Sequence, residues 1–133
     1  MWRVTVLWVV ALVSVLILLG VFSSLSAQAG ERWEGTYACI GKDLDGAAYA
    51  VELVLAKQGN TLYSYVQSTH NGRVAIGVAF AEEQTLVVGF ATAQGFGVAL
   101  YHREGRALKG RWTAYGAPHM TTETCTPTGS LVA

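Results

Sequence analysis

The sequence predicts an all-β fold, an eight-stranded antiparallel up-and-down barrel that follows an N-terminal signal helix. Three observations lead to this prediction. Beyond residue 30, alternating apolar and polar runs recur roughly every ten residues between turn signals. That region never keeps the apolar spacing of an amphipathic helix. It also holds most of the chain's 15 glycines, which permit the sharp coiling that a closed barrel needs.

The first 29 residues are predicted to be a signal peptide. Arg3 carries the single charge, and an apolar run extends from Val4 to Phe22. Ala27 and Ala29 fit the small-residue rule of signal peptidase, so we expect cleavage after Ala29 and export to the periplasm or the extracellular space. The apolar run exceeds the usual signal core of about 7–15 residues and approaches the roughly 20 of a membrane span. A retained N-terminal anchor is therefore the alternative.

Residues 30–133 are expected to form one barrel domain of near-neutral charge. The chain has nine Lys and Arg and nine Asp and Glu, and Arg3 alone belongs to the predicted signal peptide. A neutral domain has no electrostatic attraction for nucleic acid or for an anionic membrane. We expect no nucleic-acid partner and no cofactor, and a membrane contact only if the signal segment is retained.

Each strand is predicted from its β-branched and aromatic residues. GTYACI opens the domain, AYAVELVLAK alternates around Glu52, and TLYSYVQS follows a glycine turn. VAIGVAFA and TLVVGFA are apolar on both faces, VALYHR and ALKGRWTA flank a Glu-Gly turn, and TETCTP closes the domain. The predicted strands are 35–40, 48–57, 61–68, 74–81, 85–91, 98–103, 107–114 and 122–127.

The connections are predicted to be of two kinds. QGN, EEQ and EG form tight turns after strands two, four and six, whereas GKDLDGA, THNGR, TAQGFG and YGAPHMTT are mostly longer. Alternate connections of a meander lie at the same end of the sheet. We therefore expect one end closed by short turns and the other surrounded by longer loops, as in barrels that hold a ligand.

The two cysteines are predicted to form a disulfide. Cys39 lies near the end of strand one and Cys125 near the start of strand eight, and an even cysteine count is typical of an oxidising compartment. If strands one and eight are antiparallel neighbours, the bridge fastens the seam of the barrel. A reactive or metal-binding pair is the alternative, although no C-x-x-C spacing supports it.

The inner face is predicted from alternation with charged residues. Lys109 and Arg111 should face water, and Glu52 marks the outer side of strand two. The remaining strands follow by pairing around the turns. The predicted inward residues are Tyr49, Val51, Leu53, Leu55, Leu62, Ser64, Val66, Ala75, Gly77, Ala79, Leu86, Val88, Phe90, Ala99, Tyr101, Leu108, Gly110 and Trp112.

The outer face of strands two to five is then almost free of charge. It comprises Val54, Ala56, Tyr63, Tyr65, Ile76, Val78, Phe80 and Val87. Contiguous exposed apolar area usually marks an interaction surface, and we predict a homodimer through strands three to five. The interface residues would be Tyr63, Tyr65, Ile76, Val78 and Phe80. A flattened sandwich or a register shift of one residue would instead make these residues core.

Several segments resemble a group of small exported bacterial β-barrel proteins of unassigned function. They are EGTY, DGAAYAVELVL, GVALYHREGRALKGRWT and TETCTP. More distantly, Gly35-Thr36-Tyr37 and Gly110-Arg111-Trp112 resemble the G-x-W signals of calycin barrels, the lipocalins and avidins. The resemblance implies an eight-stranded barrel that binds a small molecule or a protein.

A ligand pocket is predicted at the end with the longer loops. Four of its residues should point into the barrel and two should lie on the surrounding loops, giving aromatic rings and hydroxyls typical of a small-ligand site. They are Tyr49, Ser64, Tyr101 and Trp112 inside, with Phe96 and Tyr115 on the loops. An ordinary filled barrel core has the same composition and is the alternative.

Neither a metal site nor catalysis is predicted. KDLDG places Asp43 and Asp45 before a glycine, which indicates an Asp-Gly turn rather than a calcium loop. His70 and His119 could approach these carboxylates as metal ligands, but separate loop histidines are more often solvated. No nucleophile turn is recognisable, and the acidic residues are expected at turns or on outer faces.

Two functions follow from these expectations. The first is an exported, non-enzymatic, calycin-like binding protein that holds a small apolar or aromatic ligand at its open end. The alternative is a protein–protein interaction module, of inhibitor or adhesin type, that uses the outer apolar sheet or the long loops. A hollow interior favours the first function, and a packed interior with an apolar exterior favours the second.

Overall fold

The computed structural model describes residues 32–129, which form a closed barrel of eight antiparallel strands in sequential order. The predicted all-β, eight-stranded meander is confirmed. Residues 1–29, the predicted signal peptide, lie outside the described residues. No helix capable of spanning a lipid bilayer occurs within residues 32–129. The strands are β1 (Gly35–Lys42), β2 (Ala48–Lys57), β3 (Leu62–Thr69), β4 (Gly72–Glu82), β5 (Thr85–Thr92), β6 (Gly95–Glu104), β7 (Ala107–Ala114) and β8 (Thr121–Pro127).

Strands β1 and β8 pair with each other and close the barrel. Cys39 lies directly opposite Cys125 in this pairing, and the two residues form a disulfide with a Cα–Cα distance of 4.0 Å. Both cysteines are buried and point into the barrel. The predicted disulfide and its position at the seam are confirmed, and the pairing leaves neither strand as an open edge.

The barrel has one end with longer loops, here called the loop end, and one with short turns, called the turn end. The loop end carries loops 43–47 and 115–120, but its other two connections are two-residue turns, at 70–71 and 93–94. The prediction of longer loops after strands three and five was therefore wrong. Both following strands begin earlier than predicted, at Gly72 and Gly95, which have positive φ angles of 119° and 153°. Glycine accepts that backbone without steric cost, so a two-residue turn suffices.

A tryptophan outside the predicted core covers the interior at the turn end. Trp33 precedes β1 and is buried, and its carbonyl oxygen accepts a hydrogen bond of 2.7 Å from the Tyr37 hydroxyl. The Arg103 guanidinium lies 4.7 Å from the centroid of the Trp33 ring, within the range of a cation–π contact. Through these contacts, Trp33 and Arg103 cover the part of the core nearest the turn end.

The faces of β3 are the reverse of the prediction. Tyr63 and Tyr65, predicted to lie outside, are 4% and 2% exposed, whereas Leu62, predicted inside, is 46% exposed. The cause is the turn before β3, where the Gln58 and Gly59 amides both donate to the Leu62 carbonyl, at 2.8 and 3.2 Å. This bulged turn offsets the pairing by one residue, and one residue exchanges the two faces of a strand.

A second irregularity restores the predicted faces from β4 onward. The pairing of β3 with β4 shifts by one residue between Gln67 and Ser68. As predicted, Ala79 is buried, while Ile76, Val78 and Phe80 are exposed. The two one-residue offsets cancel, so the prediction for β4 is correct although the one for β3 is wrong.

The predicted inner faces of β2, β5, β6 and β7 are confirmed by burial. Their fully covered side chains are Leu53, Leu55, Leu86, Val88, Ala99, Tyr101 and Leu108. On the outer faces, Glu52 and Arg111 are exposed as predicted.

Aromatic rings fill the interior next to inward-facing glycines. A Cβ atom on Gly97 would collide with the Phe90 ring, and a Cβ atom on Gly110 would collide with the Tyr101 ring. The Phe90 ring in turn packs edge-on against Trp112, with 6.1 Å between centroids. Each of these glycines makes room for a neighbouring aromatic side chain. This packing is that of a filled barrel core, the alternative left open by the sequence.

Candidate functional site

Three cross-strand rows of outward-facing apolar residues cover the outside of β4, β5 and β6. The register aligns Ile76 with Ala91 and Phe96, Val78 with Gly89 and Val98, and Phe80 with Val87 and Leu100. We call this three-by-three arrangement the β4–β6 face. None of its positions is charged or polar, in contrast to β7, whose outer face carries Lys109 and Arg111.

Five large side chains of the β4–β6 face are open to solvent, whereas Val87 and Leu100 are partly buried. Val78 and Val98 are each 54% exposed, and Phe96 is 60% exposed. Outward positions of a single-layer barrel should be polar, because they gain nothing from burial in an isolated molecule. Three adjacent strands depart from this pattern together.

Gly89 makes a depression at the centre of the β4–β6 face. A Cβ atom added there would meet no other atom within 4 Å, so the space above the glycine is open. The depression has a volume of about 600 Å³. Its lining comprises Ile76, Gly77, Val78, Gly89, Phe90, Ala91, Phe96, Gly97 and Val98.

An aromatic pair protrudes at one corner of the face. Phe96 stacks on Tyr115 with ring centroids 5.0 Å apart, and the Tyr115 amide donates to the Phe96 carbonyl at 2.8 Å. Both were predicted to surround the mouth of an internal pocket. The predicted position is wrong for Phe96, which lies on the outer face of β6 because Gly97 takes the inward position. Tyr115 lies in loop 115–120 as predicted, but it is 81% exposed and packs against Phe96 outside the barrel.

The other predicted ligand residues are also divided between the two faces. Tyr49, Tyr101 and Trp112 point into the barrel as predicted. Ser64 does not, because the offset that turns Tyr63 and Tyr65 inward turns Ser64 outward. Its hydroxyl donates to the Ala56 carbonyl of the neighbouring strand at 3.4 Å. The six residues therefore do not form one site.

Inside the barrel, a buried carboxylate organises a polar cluster towards the loop end. Glu123 on β8 is only 2% exposed. Its Oε1 atom accepts hydrogen bonds of 2.9 Å from the Tyr49 hydroxyl and 2.9 Å from the Gln67 amide. Its Oε2 atom accepts a hydrogen bond from the Tyr101 hydroxyl. Both carboxylate oxygens are thus occupied by neighbouring side chains.

The cluster continues through two further aromatic side chains. Because the Tyr101 hydroxyl donates to Glu123, it accepts from the Tyr65 hydroxyl, which lies 2.8 Å away. The Trp112 indole donates to the Tyr49 hydroxyl at 3.0 Å. A buried polar group is costly unless it is paired, and these contacts pair the buried hydroxyls.

The cluster has no positive charge within residues 32–129 to balance an ionised Glu123. Burial therefore raises the pKa of this carboxyl group, an effect that the hydrogen bonds from Tyr101, Tyr49 and Gln67 oppose. Burial also raises the pKa values of Tyr49, Tyr65 and Tyr101. The three tyrosines therefore stay protonated, as donors of hydrogen bonds must.

The prediction that acidic residues lie only at turns or on outer faces was wrong for Glu123. A sequence signal for its position exists, because Glu123 lies two residues before Cys125 and alternate residues of a strand share a face. A cysteine in a seam disulfide that points inward makes Glu123 point inward too. Gln67 likewise lies two residues after Tyr65 and shares its face. Its inward position was not predicted because Tyr65 had been assigned to the outer face of β3.

The remaining polar residues of the loop end are explained by turn structure. Asp43 and Asp45 accept hydrogen bonds from the Leu44 and Ala47 amides, at 2.8 and 2.9 Å, and Gly46 has a φ of 90°. The predicted Asp-Gly turn is confirmed. His119 Nε2 lies 3.1 Å from the Leu44 carbonyl oxygen and links the two longer loops.

One group of potential metal ligands exists among residues 32–129, and its chemistry does not suit a metal. The side chains of Cys39, Glu123 and Cys125 offer atoms within 4.8 Å of one another. Both sulfur atoms belong to the disulfide, however, so neither is a thiolate that could bind a metal ion.

No family model matches the chain, and neither the curated proteins nor the solved structures contain a match to it. The fold, the β4–β6 face and the polar cluster around Glu123 are therefore the basis for a functional proposal.

Proposed function

We propose that this protein is an exported, non-enzymatic interaction module that binds a protein through the β4–β6 face. The observation that carries the proposal is the array of apolar positions on three adjacent strands, with Val78, Phe96 and Val98 more than half exposed. An uninterrupted apolar surface of this kind is typical of protein–protein contact sites. It corresponds to the interaction-module alternative of the sequence analysis.

The carrier function, with a ligand inside a calycin-like barrel, has less support. The Phe90 and Trp112 rings pack against each other in the interior, and Gly97 lacks the Cβ atom that would collide with Phe90. Ser64 and Phe96, two of the residues expected at the internal site, lie on the outer surface. A small apolar ligand would find more open space in the depression over Gly89 than among the packed rings.

Two features bear on the remaining parts of the proposal. The disulfide between Cys39 and Cys125 is consistent with an oxidising, exported location, as expected if residues 1–29 are a signal peptide. The non-enzymatic role stays a prediction that the fold does not test; the oxygens of the buried Glu123 are already paired with Tyr49, Gln67 and Tyr101. A substrate has no free carboxylate oxygen to contact there.

The proposal can be tested by photo-crosslinking in cells that export the protein. A photoreactive amino acid would replace Val98 on the face, or Ala38 as a matched control. Ala38 is an exposed outward position on β1, which is four strands away from β5 in the closed barrel. We expect a crosslinked protein of defined mass from position 98 and none from position 38. Equal crosslinking from both positions, or none from either, contradicts the proposal.

A further inference from the structure

We infer that the protein bound by the β4–β6 face is a second copy of this chain, in a two-fold dimer. The inference rests on the proposed function of the face and specifies its partner. It extends the expected dimer of strands three to five to a different surface, because Tyr63 and Tyr65 of β3 lie inside the barrel. Three properties of the face favour a second copy: its charge, its area and its shape.

The face is electrostatically compatible with itself. In a two-fold dimer the same patch meets its own copy, so any charge near its centre would meet a like charge. Val78, Gly89 and Val98 form the central row, and the rows on either side are equally uncharged. Two identical copies can therefore approach without repulsion and without burying an unpaired charge.

The exposed area is close to what a stable dimer requires. The aromatic side chains of Phe80, Phe96 and Tyr115 present roughly 370 Å² together, taking about 200 Å² for each whole ring side chain, and the half-exposed Ile76, Val78 and Val98 add to this area. Their exposed fractions range from 43% for Phe80 to 81% for Tyr115. Specific interfaces begin at about 600 Å² per partner, an area that these six side chains approach.

The shape of the face offers both a protrusion and a depression. Phe96 stands at a corner, supported by the Tyr115 ring, and Gly89 leaves an open space at the centre. Phe96 is aligned with Ala91, two residues beyond Gly89 on the same side of β5, so protrusion and depression are diagonal neighbours. A two-fold axis between them seats Phe96 of each copy over Gly89 of the other.

Sedimentation velocity of the exported protein tests this inference with a variant that fills the depression. Gly89→Lys places a charged side chain at the centre of the face, where its Cβ meets no atom within 4 Å and no positive φ opposes it. The isolated barrel should therefore tolerate it, whereas a dimer would have to bury the charge. Ala38→Lys is the matched control on the opposite side of the barrel. Val78→Lys is a second test variant at an exposed position of the same row.

At tens of micromolar we expect wild type and Ala38→Lys to sediment as dimers. Gly89→Lys and Val78→Lys should sediment as monomers, with self-association weakened by at least about 30-fold, as for central interface positions. A monomeric wild type, or a dimer that survives both face variants, overturns the inference. If the wild type is monomeric while position 98 still crosslinks to a different protein, self-association fails and the proposed function of the face stands.

Discussion

The buried carboxyl group of Glu123 makes a specific prediction about stability and pH. Its pKa is raised in the folded barrel, chiefly by burial, so the folded state holds this proton at pH values where the unfolded chain has lost it. This contribution to stability is fully present below the pKa of the unfolded chain. It is lost as the pH rises through the folded-state pKa. The free energy of unfolding should therefore fall as the pH is raised over this range.

Glu123→Gln should remove this pH dependence and preserve most of the hydrogen bonds. The amide oxygen can accept from Tyr49 and Gln67, and the amide nitrogen can donate to Tyr101. Glu123→Ala instead removes the acceptor altogether. Tyr101 can then pair with Tyr65, but Tyr49 and Gln67, two partly buried donors, lose their partner. A fully buried donor without a partner costs about 1–3 kcal/mol, so we expect a total loss towards the lower end of about 2–6 kcal/mol.

The assay is urea unfolding at a series of pH values from acid to neutral. The difference between wild type and Glu123→Gln isolates the contribution of the buried carboxyl group. Glu52→Gln, on the exposed outer face of β2, is the control and should leave the wild-type profile unchanged. Parallel profiles for wild type and Glu123→Gln, or a stability of wild type that rises with pH relative to Glu123→Gln, would refute the reasoning.

Three further predictions concern packing and the seam. Tyr63→Ala should lower the free energy of unfolding by about 3–5 kcal/mol because the ring is buried. Leu62→Ala should lower it by much less, as judged by denaturant midpoints, and equal losses would contradict the assigned faces of β3. Trp112→Ala should also lower stability by about 3–5 kcal/mol if its ring fills the core, and a negligible loss would indicate a hollow interior. Replacing Cys39 and Cys125 by alanine should cost at most about 4.5 kcal/mol, and labelling of the unreduced, denatured protein should find no free thiol.

The sequence was sufficient for the architecture because the architecture depends on counts and alternation. Eight alternating segments joined by turns, with cysteines in the first and last, predict a closed meander with a disulfide seam. The charged positions Lys109 and Arg111 correctly identify the inner face of β7 and, through pairing, that of β6. Such assignments need no knowledge of distances.

The faces of β3 could not be predicted, because they depend on a single bulged turn. In this turn the Leu62 carbonyl accepts hydrogen bonds from both the Gln58 and the Gly59 amides, which offsets the pairing of β2 with β3 by one residue. An offset of one residue turns Tyr63 inward and Leu62 outward. The sequence likewise shows no pattern that predicts the second offset, between Gln67 and Ser68. The surface expected on strands three to five is therefore replaced by the β4–β6 face. The inward position of Glu123, in contrast, follows from its two-residue spacing to Cys125.

The central claim, that the β4–β6 face is a covered contact surface, is tested most directly by hydroxyl-radical footprinting on intact exporting cells. The oxidation rates of Phe96 and Phe80 would be compared between wild type and Gly89→Lys, with the interior Tyr101, which is 1% exposed, as an internal reference. We predict several-fold slower oxidation of Phe96 and Phe80 in wild type than in the variant, with Tyr101 equally protected in both. Equal oxidation of Phe96 in the two proteins would contradict the claim.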